Sequence, residues 1–106
     1  MKKIAVLGST GSIGRNTLLV AKHLGIPILG LAAKSNIDLL EAQAKEFFPK
    51  RIAVYDKDKA YSLQKRLPNI PVVGGMEGVI EIATMDNIDL VVSAMVGAVG
   101  IRPTLK

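Results

Sequence analysis

Apolar and polar positions along this chain switch between two periods. Short apolar runs recur at Lys3–Leu7, Ile26–Ala33, Arg51–Tyr55, Pro71–Val73 and Ile88–Met95. Their lengths suit strands buried on both faces. Between them, apolar residues fall three and four apart. Ser12–Leu24 reads as a helix with Ile13, Thr17, Val20, Ala21 and Leu24 on one face and Gly25 as its stop. Ser35-Asn36-Ile37-Asp38 has capping-box spacing, followed by Ile37, Leu40, Ala44 and Phe47 inward and an end at Pro49. Asp56 or Asp58 caps a third helix that carries Ala60, Leu63 and Leu67 and stops before Pro68. Gly74-Gly75 turn into a fourth, with Val79, Ile80 and Ala83 inward.

Strands alternating with helices predict an α/β fold, a doubly wound parallel sheet of the Rossmann type. Past the last strand, Gly97 to Gly100 form a second glycine-bearing loop, and Pro103 suits the first position of a further helix. Only Thr104, Leu105 and Lys106 come after it, about one turn, too short to bury a face. The expectation is a truncated single domain over residues 1–106, an N-terminal fragment of a longer protein.

Composition narrows the function classes. The chain has 106 residues, 49% of them hydrophobic and 22% charged, which is globular. Only 4% are aromatic, too few for the stacking platforms of a single-strand nucleic-acid binder. The net charge of +5 comes from scattered Lys and Arg without a basic block, a solvated surface rather than a nucleic-acid stripe. There is no Cys, hence neither a disulfide framework nor thiolate chemistry. The first apolar run is too short for a signal peptide, and Leu90–Ile101 is too short to span a membrane. A cytoplasmic protein is the expectation.

The chemistry is carried by Gly8-Ser9-Thr10-Gly11-Ser12-Ile13-Gly14, which lies between the first strand and the first helix. A strand that turns on glycines into a helix leaves bare N–H groups at the positive end of a helix dipole, a site for phosphate. In this reading Gly8 permits the turn, Gly11 lets the backbone approach a pyrophosphate, and Gly14 lets the helix pack on the sheet. Thr10 and Ser12 add hydroxyl donors. A tight turn without ligand is the bland account of the same glycines; the strand before, the helix after and the hydroxyls between argue against it.

About 20 residues past such a loop, an acidic residue usually meets the ribose 2′-hydroxyl of NAD. Here Lys34-Ser35-Asn36 stand instead. An ammonium, a hydroxyl and an amide welcome a 2′-phosphate that a carboxylate would repel, so NADPH is the expected cofactor. Ser35 as a plain helix cap beside a solvated Lys34 is compatible with that role. Ser93 to Gly100 lies past the carboxyl end of the last strand, where ligands of open α/β sheets bind. Spacing alone reads that segment as a glycine-rich strand exit.

Acid–base and metal groups are sparse. His23 reads as a helix-end residue, Asp56 and Asp58 as cap and surface, and Glu77 and Glu81 as a solvated stripe. Asp86 and Asp89 flank a strand entry, and no carboxylate cluster of magnesium type can be argued. The chain can hold a cofactor but lacks the groups for chemistry of its own.

Three segments in order resemble the 1-deoxy-D-xylulose 5-phosphate reductoisomerase family: Ile4–Arg15, Leu31–Asn36 and Val92–Leu105, with Gly74, Gly75 and Gly78 fitting a turn between the last two. The resemblance spans essentially the whole chain. It departs at Lys34, where the family usually has glycine. Aspartate-semialdehyde and homoserine-type dehydrogenases share the first loop but lack the paired later segments. A nucleotide-sensing module without catalysis is the other reading, separated from an enzyme by the residues beyond Lys106.

The resemblance implies an enzyme that rearranges 1-deoxy-D-xylulose 5-phosphate and reduces it with NADPH to 2-C-methyl-D-erythritol 4-phosphate, in isoprenoid precursor synthesis. It implies Thr10, Gly11, Ser12 and Ile13 at the pyrophosphate, and Lys34, Ser35 and Asn36 at the 2′-phosphate. It places Ala94 and Met95 by the nicotinamide, with Gly97 and Gly100 behind them. A divalent magnesium or manganese ion, its ligands, the sugar-phosphate site and the homodimer contacts belong to later parts of a full-length enzyme. The chain alone is therefore expected to be inactive.

Overall fold

The computed structural model describes residues 2–94. Five strands and four helices alternate: β1 (Ile4–Leu7), α1 (Ser12–Leu24), β2 (Ile28–Ala33), α2 (Ile37–Phe47), β3 (Arg51–Val54), α3 (Lys57–Arg66), β4 (Val72–Gly74), α4 (Gly75–Ala83) and β5 (Leu90–Ser93). The strands form one sheet in the order β4-β3-β2-β1-β5, and every neighbouring pair is parallel. Three successive crossovers step outward from β1 to β4, and the fourth returns to the other side of β1. Because such crossovers are right-handed, the reversal moves α4 to the opposite face. The core accordingly has two halves. Leu18, Leu40 and Leu63 from α1, α2 and α3 pack on Ile4, Val6, Leu31, Ile52 and Val54. Val79 and Ile82 from α4 pack on Ala5, Leu7, Ala32 and Ala53.

Two helix faces differ from what periodicity predicts. In α1, Gly14, Leu18 and Ala21 are buried. Ile13, Val20 and Leu24 are each more than half exposed. In α4 the buried residues are Gly75, Gly78, Val79 and Ile82, while Ile80 faces solvent. The cause is common to both. Each contact line runs through a glycine, which adds nothing to an apolar pattern but allows the closest approach. A Cβ on Gly14 would lie 2.0 Å from the Gly8 carbonyl oxygen, and one on Gly78 would lie 3.0 Å from the Val73 backbone. The stripe that packs is therefore one or two positions away from the stripe that looks most apolar.

The helix caps match the sequence with one change. Asp56 caps α3, its Oδ1 accepting from the Asp58 and Lys59 N–H groups at 3.0 and 3.2 Å. At α2 the cap is Asn36, whose Oδ1 accepts from the Leu39 N–H at 3.2 Å, and not a Ser35–Asp38 box. The helix begins one residue later than the box requires. Glu81 is ion-paired with Arg51 rather than solvated. Asp89 Oδ2 accepts from the Lys3 N–H at 2.9 Å, tying the entry of β1 to that of β5. Arg66 joins α3 to Asp38 and Glu41 of α2, and the Lys45 and Arg66 side chains hold the Glu41 carboxyl below its ordinary pKa.

α2 ends on Phe48, a non-glycine residue with φ 50° and ψ 57°, whose N–H donates to the Ala44 carbonyl at 2.9 Å. Its ring is 74% exposed, so little packing offsets the left-handed backbone. Phe48→Gly is expected to raise stability by about 0.5–1 kcal/mol, the relief of the left-handed penalty less the added freedom of the unfolded chain. A lowered urea midpoint would show that the ring packs enough to outweigh the strain.

Candidate cofactor-binding site

All five strands point their carboxyl ends to one edge of the sheet, and the chain reverses direction across it at β1. That is the switch point at which open α/β sheets bind ligands. The β1–α1 loop sits there. Leu7 pairs with Ala32 of β2 on one side and Ser93 of β5 on the other. The Ala94 N–H donates to the Leu7 carbonyl at 2.7 Å, which brings the exit of β5 beside the glycine loop.

The loop is built by backbone. Gly8 has φ 86°, and the N–H groups of Gly8 and Ser9 both donate to the Ala32 carbonyl, at 2.6 and 3.0 Å. The Gly11 N–H closes the turn onto the Gly8 carbonyl at 3.2 Å. Gly11 is the N-cap of α1 and supplies no side-chain cap, and the first helical bond runs from the Arg15 N–H to the Gly11 carbonyl at 2.8 Å. The amides of the first turn, at Ser12, Ile13 and Gly14, thus have no helical acceptor. Gly11, Ser12 and Ile13 are exposed, and Thr10 is half-buried.

The glycines differ in what the fold asks of them. Gly14 is required by the protein, since its Cβ would strike the Gly8 backbone. At Gly11 φ is −83°, and the nearest atom to a Cβ would be the Gly8 carbonyl oxygen at 3.7 Å. Nothing within the described fold demands glycine at position 11. That room suits the close approach of a phosphate to the backbone.

Lys34, Ser35 and Asn36 come directly after β2 and are all exposed. Because Asn36 spends its Oδ1 on the α2 cap, its amide NH2 stays available as a donor. The positive end of α2 lies at the same corner. Ala94 is half-buried at the exit of β5. Met95, Gly97 and Gly100, the other nicotinamide-side candidates, lie outside the described residues, as does Pro103.

Gln43 is not among the candidates that sequence singles out. It lies on α2 with only 6% of its surface exposed, and its Nε2 donates to the Ser9 carbonyl at 2.8 Å. The signal was a polar residue on the apolar Ile37–Leu40–Ala44 face. Its Oε1 and the Ser9 hydroxyl are buried without a partner among the described residues. Gln43 also lines a groove of about 490 Å3 between α1 and α2, with Ser12, Arg15, Asn16, Leu39 and Phe47.

Among the described residues no group of three or more His, Cys, Asp or Glu side chains could hold a metal ion. No helix among them is long and apolar enough to cross a membrane.

Residues 4–106 match the family model for 1-deoxy-D-xylulose 5-phosphate reductoisomerase. A reductoisomerase of that name from Protochlamydia amoebophila (strain UWE25) is 57% identical over 108 residues, which cover 100% of this chain and 28% of the relative. A crystal structure of a DOX-P reductoisomerase in complex with magnesium superposes with a TM-score of 0.90 at 35% identity, over 97% of this chain and 27% of that one. Another, in complex with NADPH, fosmidomycin and magnesium, gives a TM-score of 0.80 at 33% identity, over 86% of this chain and 24% of that one. The chain therefore spans a little over a quarter of the length of the relatives it matches. With a glycine loop at the switch point and a match from the first strand to the last residue, this chain belongs to the 1-deoxy-D-xylulose 5-phosphate reductoisomerase family.

Proposed function

We propose that this chain is the NADPH-binding portion, residues 1–106, of an enzyme that converts 1-deoxy-D-xylulose 5-phosphate to 2-C-methyl-D-erythritol 4-phosphate. The observation that carries the reading is the pairing of an uncapped glycine-loop helix start at the switch point with a carboxylate-free Lys34-Ser35-Asn36 corner beside it. A relative bound to NADPH shares this fold, which supports the same ligand here.

The site residues fit that cofactor. The amides of Ser12, Ile13 and Gly14, with the Thr10 and Ser12 hydroxyls, receive the pyrophosphate. Gly8 and Gly11 shape the backbone around it. The Lys34 ammonium, the Ser35 hydroxyl and the Asn36 amide receive the 2′-phosphate; Lys34 supplies charge where the family usually has glycine. Ala94, Met95, Gly97 and Gly100 border the nicotinamide. The cofactor, when bound, supplies the hydride for the reduction. The chain spans only about a quarter of its relatives, and the rearrangement, with its divalent metal, is assigned to the remaining parts of the full-length enzyme. Those parts also hold the sugar phosphate and form the homodimer, in the cytoplasm.

Titration of the full-length protein tests the cofactor reading. NADPH is expected to bind at least about tenfold more tightly than NADH, since charge-assisted contacts to the 2′-phosphate have no counterpart at a hydroxyl. Equal affinities would reject the role of Lys34, Ser35 and Asn36.

A further inference from the structure

The pyrophosphate loop and the 2′-phosphate corner belong to different βα units, yet one ligand has to meet both. Besides the β1–β2 strand pairing and the Lys22–Glu46 ion pair between α1 and α2, three hydrogen bonds among the described residues tie the loop itself to the second unit. Two are backbone bonds, from the Gly8 and Ser9 N–H groups to Ala32, two residues before Lys34. The third is the only one of these three made by a side chain: Gln43 Nε2 donates to the Ser9 carbonyl at 2.8 Å, linking residues 34 apart in sequence. Gln43 stands in the second turn of α2, the helix capped by Asn36 of the 2′-phosphate corner. Its carboxamide is buried, so the bond is shielded from competing water.

We propose that Gln43 is a positioning residue that sets the distance between the two phosphate subsites. It touches neither phosphate; it locks the turn that presents the pyrophosphate amides to the helix that presents the 2′-phosphate donors. A ligand that bridges both subsites gains from that fixed spacing. A ligand that fills one subsite does not. The inference rests on the NADPH reading above and adds a residue which that reading does not need.

The test compares bridging and single-subsite probes on the full-length protein carrying Gln43→Met. Methionine keeps the length and bulk of the side chain but cannot donate to Ser9. Expected is a loss of about tenfold in NADPH affinity, the scale of one buried hydrogen bond, with the affinity for adenosine 2′-monophosphate changed less than about twofold. Equal losses for both probes would place the damage at the 2′-phosphate corner itself and overturn the proposal. Unchanged NADPH affinity beside a lowered melting temperature would show Gln43 to be structural only, and would overturn it too. Should Gln43→Met fail to fold, Gln43→Leu, which is uncharged and has no donor for the Ser9 carbonyl, carries the same comparison. If the unmutated protein binds adenosine 2′-monophosphate but not NADPH, the cofactor reading fails, and this inference with it.

Discussion

Gly14→Ala is expected to remove a large share of the stability of this domain. The added methyl would sit 2.0 Å from the Gly8 carbonyl oxygen, 2.7 Å from the Ser9 Cα and 2.8 Å from the Gly8 carbonyl carbon. All three are backbone atoms of a turn already pinned to Ala32 by two hydrogen bonds, so no rotamer change relieves the clash. Either α1 lifts off the sheet, loosening Leu18 and Ala21, or the Gly8 turn is pushed out of its left-handed conformation. Overpacking of a tight core costs about 1–3 kcal/mol where side chains can yield, and a backbone collision belongs above that range, at about 4 kcal/mol. Against a total of about 5–15 kcal/mol, that is a large share. Urea denaturation reads it directly, and a midpoint equal to that of the unmutated protein would refute the packing described for α1. Gly11→Ala is the control: its methyl meets nothing closer than 3.7 Å, so stability should fall by less than about 1 kcal/mol, the effect of a poorer N-cap.

The same glycine marks where sequence reading succeeds and where it stops. The order of elements was legible because a parallel sheet buried on both faces demands apolar runs, and helices between such runs declare themselves by spacing and caps. Gly8 and Gly14 were legible as parts of a turn because a positive φ at the one and a close backbone approach at the other need the absence of a side chain. The inward faces of α1 and α4 were legible only in part, at Gly14, Ala21 and Val79, while Leu18, Gly78 and Ile82 were missed. Ile13, Val20 and Leu24 form the more regular stripe, yet they face solvent. Asn36 displaced Ser35 as the α2 cap because the two compete within one residue, and only geometry decides which oxygen reaches the Leu39 N–H.

Long-range polar contacts are the other limit. Gln43 and Gln64 are ordinary helix formers by propensity, and their importance comes from groups that tertiary folding brings to them. The two act at opposite edges of the sheet. Gln43 reaches the loop at the carboxyl ends of the strands, where the proposed cofactor site lies. Gln64 serves the amino-terminal edge, at the entry to β4.

Gln64→Leu is accordingly expected to cost stability while sparing the site. One carboxamide organises the whole connection from α3 to β4: Nε2 donates to the Leu67 and Ile70 carbonyls, each at 2.9 Å, and Oε1 accepts from the Val72 N–H at 2.9 Å. The Pro71 carbonyl beside it accepts from the Ile52 N–H at 3.0 Å, so the loop also holds the start of the β3–β4 pairing. β4 is a three-residue edge strand. Leucine fills the space but takes the carboxamide from three backbone groups, of which the Leu67 carbonyl keeps the Ile70 N–H. At about 0.5–1.5 kcal/mol for each of the three lost bonds, the total is about 1.5–4.5 kcal/mol. Unfolding in urea should show that loss, and the amide of Val72 should exchange with solvent faster than in the unmutated protein. The NADPH affinity, measured well below the melting temperature, should stay within about twofold, because additivity holds between groups that share no partner. A drop in affinity as large as that expected for Gln43→Met would mean that the two edges of the sheet are coupled, and that β4 helps to shape the cofactor site.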